Sequence, residues 1–535
     1  MKKRAILCTA DTENLPELAQ YLITAGWELI STGHTGKYLT DCKIPYTEAA
    51  ALFETPRSFS DYMSLYRSIL TTGQQQDRNC CFDEYLEINM VCINIAPSFS
   101  TAADVREFDA SNDFIDIRCS TLVEAACKNY KNVLILTDPD DYEETMIQLK
   151  TESISTEYRL YLAGKAFNMI SACNGAAANS ILFQAGKDVY SKYFTVPYKK
   201  SLELKSGAAS QQSASLYLLP ESTGSMGGIK KLQGREISYS LYINIDAVWK
   251  GLCLFSSQLK NAAAVHGTDC EGNPIVTQFT PAAGSVYTCS VKHGIPVSAA
   301  LGSNAAESYK KMFNSGKAAL SEAAAGFSSV VDDKAAQELV SSNLSAVIAP
   351  GFTPDARAVL APRKDMRLIT MSKPALLSFD FRSLDGGLLV ESTDAILFQK
   401  WNFVTKTRPT QQQIDEMAFG QLILTGARQD AAIIVKDMAT TGMCCAAMVP
   451  EDACLAALDH SVKNVQAGLT NSPVNADVLI CGSALPFSPE LALIADRGIR
   501  AILQPGGTQN DKEFINFCNN HSIAMVFTGI EHLGI

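Results

Sequence analysis

Two short stretches of the chain carry groups suited to charged substrates. Ser31-Thr32-Gly33-His34-Thr35-Gly36 follows the strand-like run Glu28–Ser31, and its glycine and hydroxyl residues can aim backbone N–H groups at an anion. A plain connecting turn would have the same composition. Lys292-His293 follows a second strand-like run, Val286-Tyr287-Thr288-Cys289-Ser290-Val291. A histidine can relay a proton and an adjacent lysine can hold developing negative charge, although the bare dipeptide is common surface decoration. Metal chemistry has no such signal. The six histidines are dispersed, and no H-E-x-x-H, C-x-x-C or paired Cys/His spacing occurs, so the sequence predicts no metal. The 16 cysteines are scattered through a long chain and read as reduced thiols filling small core spaces.

The elements that must position these residues alternate. Arg4–Cys8, Glu28–Ser31, Val91–Ile95 and Asn132–Thr137 are strand-like. Between the first two, Leu15, Leu18, Leu22 and Ala25 keep helical spacing, with Asn14 and Pro16 marking the start. Leu122–Asn129 reads as another helix, and a mostly helical stretch runs from Asp141 to about Tyr193. Strand and helix in alternation predict a parallel sheet, whose ligands sit at the carboxyl ends of its strands. Residues 198–234 read as irregular, rich in Ser, Gly, Lys and Gln, and are placed at a domain boundary. Beyond them Ala346–Ala349, Leu368–Met371, Ala431–Val435, Val478–Ile480, Ala501–Leu503 and Ala524–Phe527 are strand candidates. Two of these run into similar turns, Ala349-Pro350-Gly351-Phe352 and Gln504-Pro505-Gly506-Gly507. The turns hint at two similar halves, but the likeness is too faint to define a repeat.

The 535 residues, 47% hydrophobic and 19% charged, predict two to four folding units. No apolar run is long enough to span a bilayer, and the N-terminus turns polar at Thr9 and Asp11, as a first strand rather than a signal peptide does. A cytoplasmic protein is expected. The formal net charge of −11 argues against nucleic-acid or acidic-membrane partners, while leaving room for a local anion pocket.

Taken in order, these landmarks resemble one family along nearly the whole chain. They are the Ser31–Thr35 turn, Asp116-Ile117, Ala125-Ala126-Cys127-Lys128-Asn129 and Asp138-Pro139-Asp140-Asp141-Tyr142. There follow Leu232-Gln233-Gly234-Arg235-Glu236, Lys292-His293, Val347–Phe352, Gly386–Val390, Val404-Thr405-Lys406, Arg408-Pro409-Thr410, Gln504–Gly507 and Ala524–Gly529. The chain is identified by them as a divergent member of the AICAR transformylase/IMP cyclohydrolase family of purine biosynthesis. The resemblance implies an α/β fold with an N-terminal, methylglyoxal-synthase-like, doubly wound cyclohydrolase domain (1–198). It also implies a C-terminal transformylase domain (199–535) of two cytidine-deaminase-like subdomains without zinc, acting as a homodimer. Its co-substrate would be 10-formyltetrahydrofolate and its ligands AICAR, FAICAR or an IMP-like nucleotide.

The resemblance also assigns roles. Lys292 and His293 would carry formyl transfer, and Ser31, Thr32, Gly33, His34, Thr35, Asp116, Lys128, Lys205 and Gln212 would bind substrate. Around them the family's pattern thins. Its Arg-Tyr-Gly segment reads Lys205-Ser206-Gly207, which keeps charge but loses the planar fork of arginine. An asparagine falls on Asp430, an aspartate on Gly482, and the tyrosine of Asn-Leu-Tyr-Pro-Phe falls on Ala96. The family's Ser-Asp-Lys-Thr-Gly becomes Ala10-Asp11-Thr12-Glu13-Asn14, and an arginine before the Lys128 motif becomes Glu124. Two expectations follow: a transformylase with an impaired cyclohydrolase domain, or a non-catalytic paralogue that binds purine nucleotides or regulates a purine enzyme.

Overall fold

The computed structural model describes residues 2–52, 59–73, 86–95, 117–151, 154–186, 190–219, 225–259, 264–280, 284–317, 319–374, 379–394, 396–397, 399–466 and 477–533. Two compact units emerge, Met1–Ser201 with Tyr217–Thr223 and Leu202–Leu216 with Gly224–Ile535.

In the first unit the elements run β1 (Arg4–Thr9), α1 (Leu15–Thr24), β2 (Glu28–Ser31), α2 (Gly33–Asp41), β3 (Thr47–Glu48) and α3 (Phe59–Thr71). They continue with β4 (Met90–Asn94), α4 (Ile117–Lys128), β5 (Leu134–Leu136), α5 (Tyr142–Lys150) and α6 (Thr156–Ala185). The strands pair in the order β3-β2-β1-β4-β5, all parallel. Every residue of β4 is buried, which requires cover on both faces of the sheet. Helix α1 forms because Pro16 fits its first turn while Leu15, Leu18, Ala19 and Leu22 recur on one face and are buried. The β5 strand is shorter than the expected Asn132–Thr137. Val133 N–H bonds to Asn129 O, which spends the start of that run on the turn after α4.

β6 (Lys199–Leu204) and β7 (Ala214–Leu218) form a two-stranded sheet at the boundary between the units, and β8 (Lys230–Gln233) follows in the second. These strands correct the irregular reading of residues 198–234. β6 is exposed along nearly its whole length, so no apolar alternation marks it. A first series follows: α7 (Tyr239–Leu254), the pair β9 (Val265–Thr268) and β10 (Pro274–Thr277), then β11 (Val286–Lys292), β12 (Ile295–Gly302), α8 (Ala305–Gly316) and β13 (Ala324–Phe327). It ends with α9 (Asp333–Leu339), β14 (Ala346–Ala349), α10 (Pro354–Leu360) and β15 (Arg367–Thr370). After the hairpin β16 (Phe379–Leu384) and β17 (Gly387–Ser392) and the short β18 (Asn402–Phe403), a second series repeats the order. It comprises α11 (Gln411–Leu424), β19 (Asp430–Lys436), β20 (Ala439–Ala447), α12 (Pro450–Gln466), β21 (Val478–Cys481), α13 (Leu493–Asp496), β22 (Ala501–Gln504), α14 (Asp511–Asn520) and β23 (Ala524–Phe527).

Twelve of these strands build one sheet, ordered β18-β23-β22-β21-β19-β20-β12-β11-β13-β14-β15-β8. The order is a palindrome. Read outward from the β12–β20 junction, each strand meets its counterpart from the other series. Alternation along the strands divides the core. Ile348, Ile433 and Val435 join α7 and α11 in one shared cluster, whereas Val347 and Phe327 face a second cluster and Ala432 and Ile434 a third. The turns after Ala349 and Gln504, which hinted at similar halves, follow the equivalent strands β14 and β22.

Candidate functional sites

In the first unit β1 has β2 on one side and β4 on the other, so the direction of winding switches there. Sheets of this kind bind ligands at the carboxyl ends of the strands beside such a switch. Asn94, last residue of β4, fixes the loop leaving β1: its Oδ1 accepts from Ala10 N (2.7 Å) and Asp11 N (2.8 Å), and its Nδ2 donates to Asp11 O (3.0 Å). At the end of β2, Ser31 Oγ donates to Leu7 O (2.7 Å). Thr35 Oγ1 accepts from Thr9 N (2.8 Å) and donates to Thr9 O (3.0 Å). Both hydroxyls are buried and spent on β1. What remains presented is the first turn of α2, where Gly33 adopts φ +60°, Thr32 makes no capping bond and His34 is exposed. The opening N–H groups of that helix can receive an anion.

Lys128 lies at the other end of the layer. The first turn of α4 meets the carboxyl end of β1 through Cys119 and Cys8, whose sulfurs are 3.4 Å apart. The helix then spans 12 residues, roughly 18 Å, and its far end is held by Asn129 Nδ2 on Ile69 O (2.8 Å) and Thr72 O (2.9 Å). The exposed Lys128 therefore stands at the amino end of β5, away from Ser31–Thr35. Asp116 lies outside the described residues.

In the second unit Lys292 and Ile295 pair at the end of the β11–β12 hairpin, and His293 (φ +56°) with Gly294 (φ +74°) forms the two-residue turn between them. Two left-handed residues give the tight turn that matches strand twist. Lys292 is half-buried and its Nζ donates to Ser321 O (2.7 Å), while His293 is exposed at the tip. Two further residues, absent from the sequence-based set, meet this turn. Asn244, buried on α7, accepts the Gly294 N–H at 2.8 Å. Arg428, exposed in the loop before β19, brings Nη2 within 3.1 Å of where a Gly294 side chain would begin. Neither has a local sequence signal, because each reaches the turn from a distant segment.

Lys205 is exposed just after β6. The side chain of Gln212 is spent on its own loop, Oε1 accepting from Ala209 N at 2.9 Å. Asp430, the carboxylate at the family's asparagine position, is engaged by Ser483 Oγ at 2.5 Å. Next to it Gly482 O accepts from His532 N (2.8 Å). His532 is buried, and its Nδ1 lies 2.7 Å from Asp394 Oδ2. Among the described residues no group of three or more His, Cys, Asp or Glu could hold a metal ion, and no helix is long and apolar enough to cross a membrane.

A five-stranded parallel sheet in one unit and a twelve-stranded mixed sheet in the other define a two-unit α/β protein. A family model described as AICARFT/IMPCHase bienzyme matches residues 126–460. The bifunctional purine biosynthesis protein PurH of Clostridium acetobutylicum is 30% identical over 540 residues, covering 99% of this chain and 99% of its own. The PurH of Clostridium perfringens strain SM101 is also 30% identical over 540 residues, with the same coverage. A crystal structure of ForH covers 34% of this chain and 98% of its own at 25% identity and a TM-score of 0.30. The chain belongs to the AICAR transformylase/IMP cyclohydrolase family.

Proposed function

We propose that this protein works in de novo purine biosynthesis, transferring a formyl group from 10-formyltetrahydrofolate to the amine of AICAR in its second unit. The observation that carries this reading is the turn Lys292-His293-Gly294, held from below by Asn244 and flanked by Arg428. The amine attacks the formyl carbon and His293 takes its proton. Lys292, with ammonium N–H groups beyond the one given to Ser321 O, holds the developing oxyanion. Collapse breaks the bond to folate N10, which recovers the proton from His293, and the products are FAICAR and tetrahydrofolate.

In this reading the halves of the large sheet are cytidine-deaminase-like subdomains of a transformylase domain spanning 199–535. The first unit (1–198) is a methylglyoxal-synthase-like domain, and the protein is a cytoplasmic homodimer. The first unit binds an IMP-like nucleotide at the start of α2 but closes the ring poorly. Support for that impairment comes from Ser31 and Thr35, whose hydroxyls serve β1, and from the missing basic residue at Thr12. The test is release of tetrahydrofolate from AICAR and 10-formyltetrahydrofolate. Turnover should be lost in the Lys292→Ala/His293→Ala variant; wild-type turnover no higher than that variant's overturns the assignment. Thermal shifts with AICAR, IMP and XMP would then support the second reading, a nucleotide-binding paralogue, favoured by the carboxylate of Asp430 bound to Ser483.

A further inference from the structure

The sulfurs of Cys8 and Cys119 lie 3.4 Å apart although 111 residues separate them in sequence. Cys8 is the penultimate residue of β1, and Cys119 is in the first turn of α4. Both line one small apolar cavity of about 10 Å³, together with Ile30, Ser31, Thr32 and Leu65, beside the start of α2. A disulfide bond is about 2.05 Å long, so the two sulfurs need to approach by only about 1.4 Å, within reach of small side-chain rotations. We propose that Cys8 and Cys119 are a modification site, forming a reversible disulfide that pins the first turn of α4 to the end of β1 beside the start of α2.

A third thiol lies on the neighbouring strand but is not equivalent. Cys92 is fully buried in β4, its Sγ donates to Tyr142 OH at 3.2 Å, and burial pushes its pKa up to about 12. Reaction through the thiolate therefore passes it over. Cys127, on the same helix as Cys119, is buried with its Sγ directed at Ala163 O (3.5 Å). Cys8 is half-buried and Cys119 buried, so an incoming reagent meets Cys8 first.

The oxidant is a low-molecular-weight disulfide of the glutathione type. The Cys8 thiolate attacks one of its sulfurs, forming a mixed disulfide and releasing one small thiolate. Cys119 then gives up its proton, its sulfur attacks Cys8 Sγ, and the second small thiolate leaves. Two protein thiols are oxidised and one small disulfide is reduced to two thiols. Where the first unit takes a nucleotide, as proposed above, the oxidised form would bind it less tightly. The cross-link itself does not depend on that reading.

The test is to incubate the full-length protein with oxidised glutathione, block remaining thiols by alkylation, and map the peptides by mass. The expected result is one linked peptide pair joining Cys8 to Cys119. Titratable thiols of the denatured chain should fall by two from 16, and dithiothreitol should restore them. Cys119→Ser should abolish the link and leave a lasting glutathione adduct on Cys8. A wild-type protein that shows only that adduct, a Cys8–Cys92 link, or two freely alkylated thiols overturns the proposal. Mass mapping is independent of purine turnover, so its failure is distinct from a failure of the enzymatic assignment.

Discussion

Asn244 and Glu416 occupy the same position in the two halves of the large sheet. Each is the sixth residue after its helix N-cap, Ser238 in one case and Thr410 in the other. Each turns its side chain toward the left-handed turn of the hairpin that follows: Asn244 to Gly294, Glu416 to the amides of Asp437 (φ +51°) and Met438 (φ +57°). Lys292 and Lys436 stand at equivalent strand ends, each paired with the first residue of the next strand. One half thus presents Lys-His-Gly over an amide, and the other Lys-Asp-Met over a carboxyl.

Glu416 makes stability depend on pH. It is fully buried, and burial pushes its carboxyl from 4.5 up to about 7. Gln412 Nε2 reaches Oε1 at 3.2 Å, whereas Oε2 accepts no hydrogen bond of good geometry. The Asp437 and Met438 amides come close enough to offset only part of the burial cost. Between pH 4.5 and 7 the folded chain keeps this proton while the unfolded chain has released it, so stability falls as pH rises through that window. The full penalty above it is about 3 kcal/mol. Glu416→Gln should remove this slope: melting temperatures of variant and wild type should agree at about pH 4, and the variant should melt higher at pH 8. Equal melting at both pH values would sink the assignment.

Asn244 positions the proposed catalytic turn without touching substrate. Asn244→Ala leaves the Gly294 N–H without its acceptor, at a cost of about 1 kcal/mol, and frees His293 to wander. Formyl transfer should fall about tenfold in kcat with little change in KM. Asn244→Asp keeps an acceptor oxygen, as the other half does with Glu416, and should recover most of the rate. A rate that fails to recover in a folded Asn244→Asp protein would argue against positioning.

Which of these features the sequence discloses follows from the range of the interactions. Runs such as Ala5-Ile6-Leu7 and Val478-Leu479-Ile480 announce buried strands because both faces are covered, and their composition alone carries the signal. The family assignment was legible from motifs in order, and Lys292-His293 does sit at the end of a strand. The palindrome was not legible. Its equivalent positions hold Asn244 and Glu416, His293 and Asp437, Gly294 and Met438, and what they share is backbone conformation and helix register. Arg428 and Asn244 carry no local signal for a related reason: one arrives from 134 residues beyond Gly294 and the other from 50 before it. The family's motifs group Lys128 with Ser31–Thr35, yet the helix Ile117–Lys128 places them at opposite ends of the layer.

Thr35 should matter more for stability than for binding. Its hydroxyl is the acceptor for Thr9 N and the donor to Thr9 O, all within a buried contact between α2 and β1. Thr35→Val preserves shape but strands both backbone groups, and denaturant titration should register a loss of about 1–3 kcal/mol. Thr35→Ser retains the oxygen and should lose less than half as much. Equal losses in the two variants would assign the effect to the methyl group instead.

Arg428 is the cation that the second unit adds to the Lys292-His293 turn. Its main chain is fixed, N–H to Cys445 O at 2.8 Å, and its side chain is exposed, with no ion pair among the described residues. An exposed, unengaged guanidinium next to a lysine and a histidine suits a phosphate or carboxylate of an incoming substrate, which it can grip at two points. Arg428→Ala should raise KM for the anionic substrate about tenfold, or ~1.4 kcal/mol, while kcat changes less. Arg428→Lys should restore only part of the affinity, because the ammonium keeps the charge and loses the fork. The wild-type KM should climb with ionic strength more steeply than that of the alanine variant, since one screened attraction is missing from the latter. Parallel salt dependences with an unchanged KM would place Arg428 outside the substrate's path.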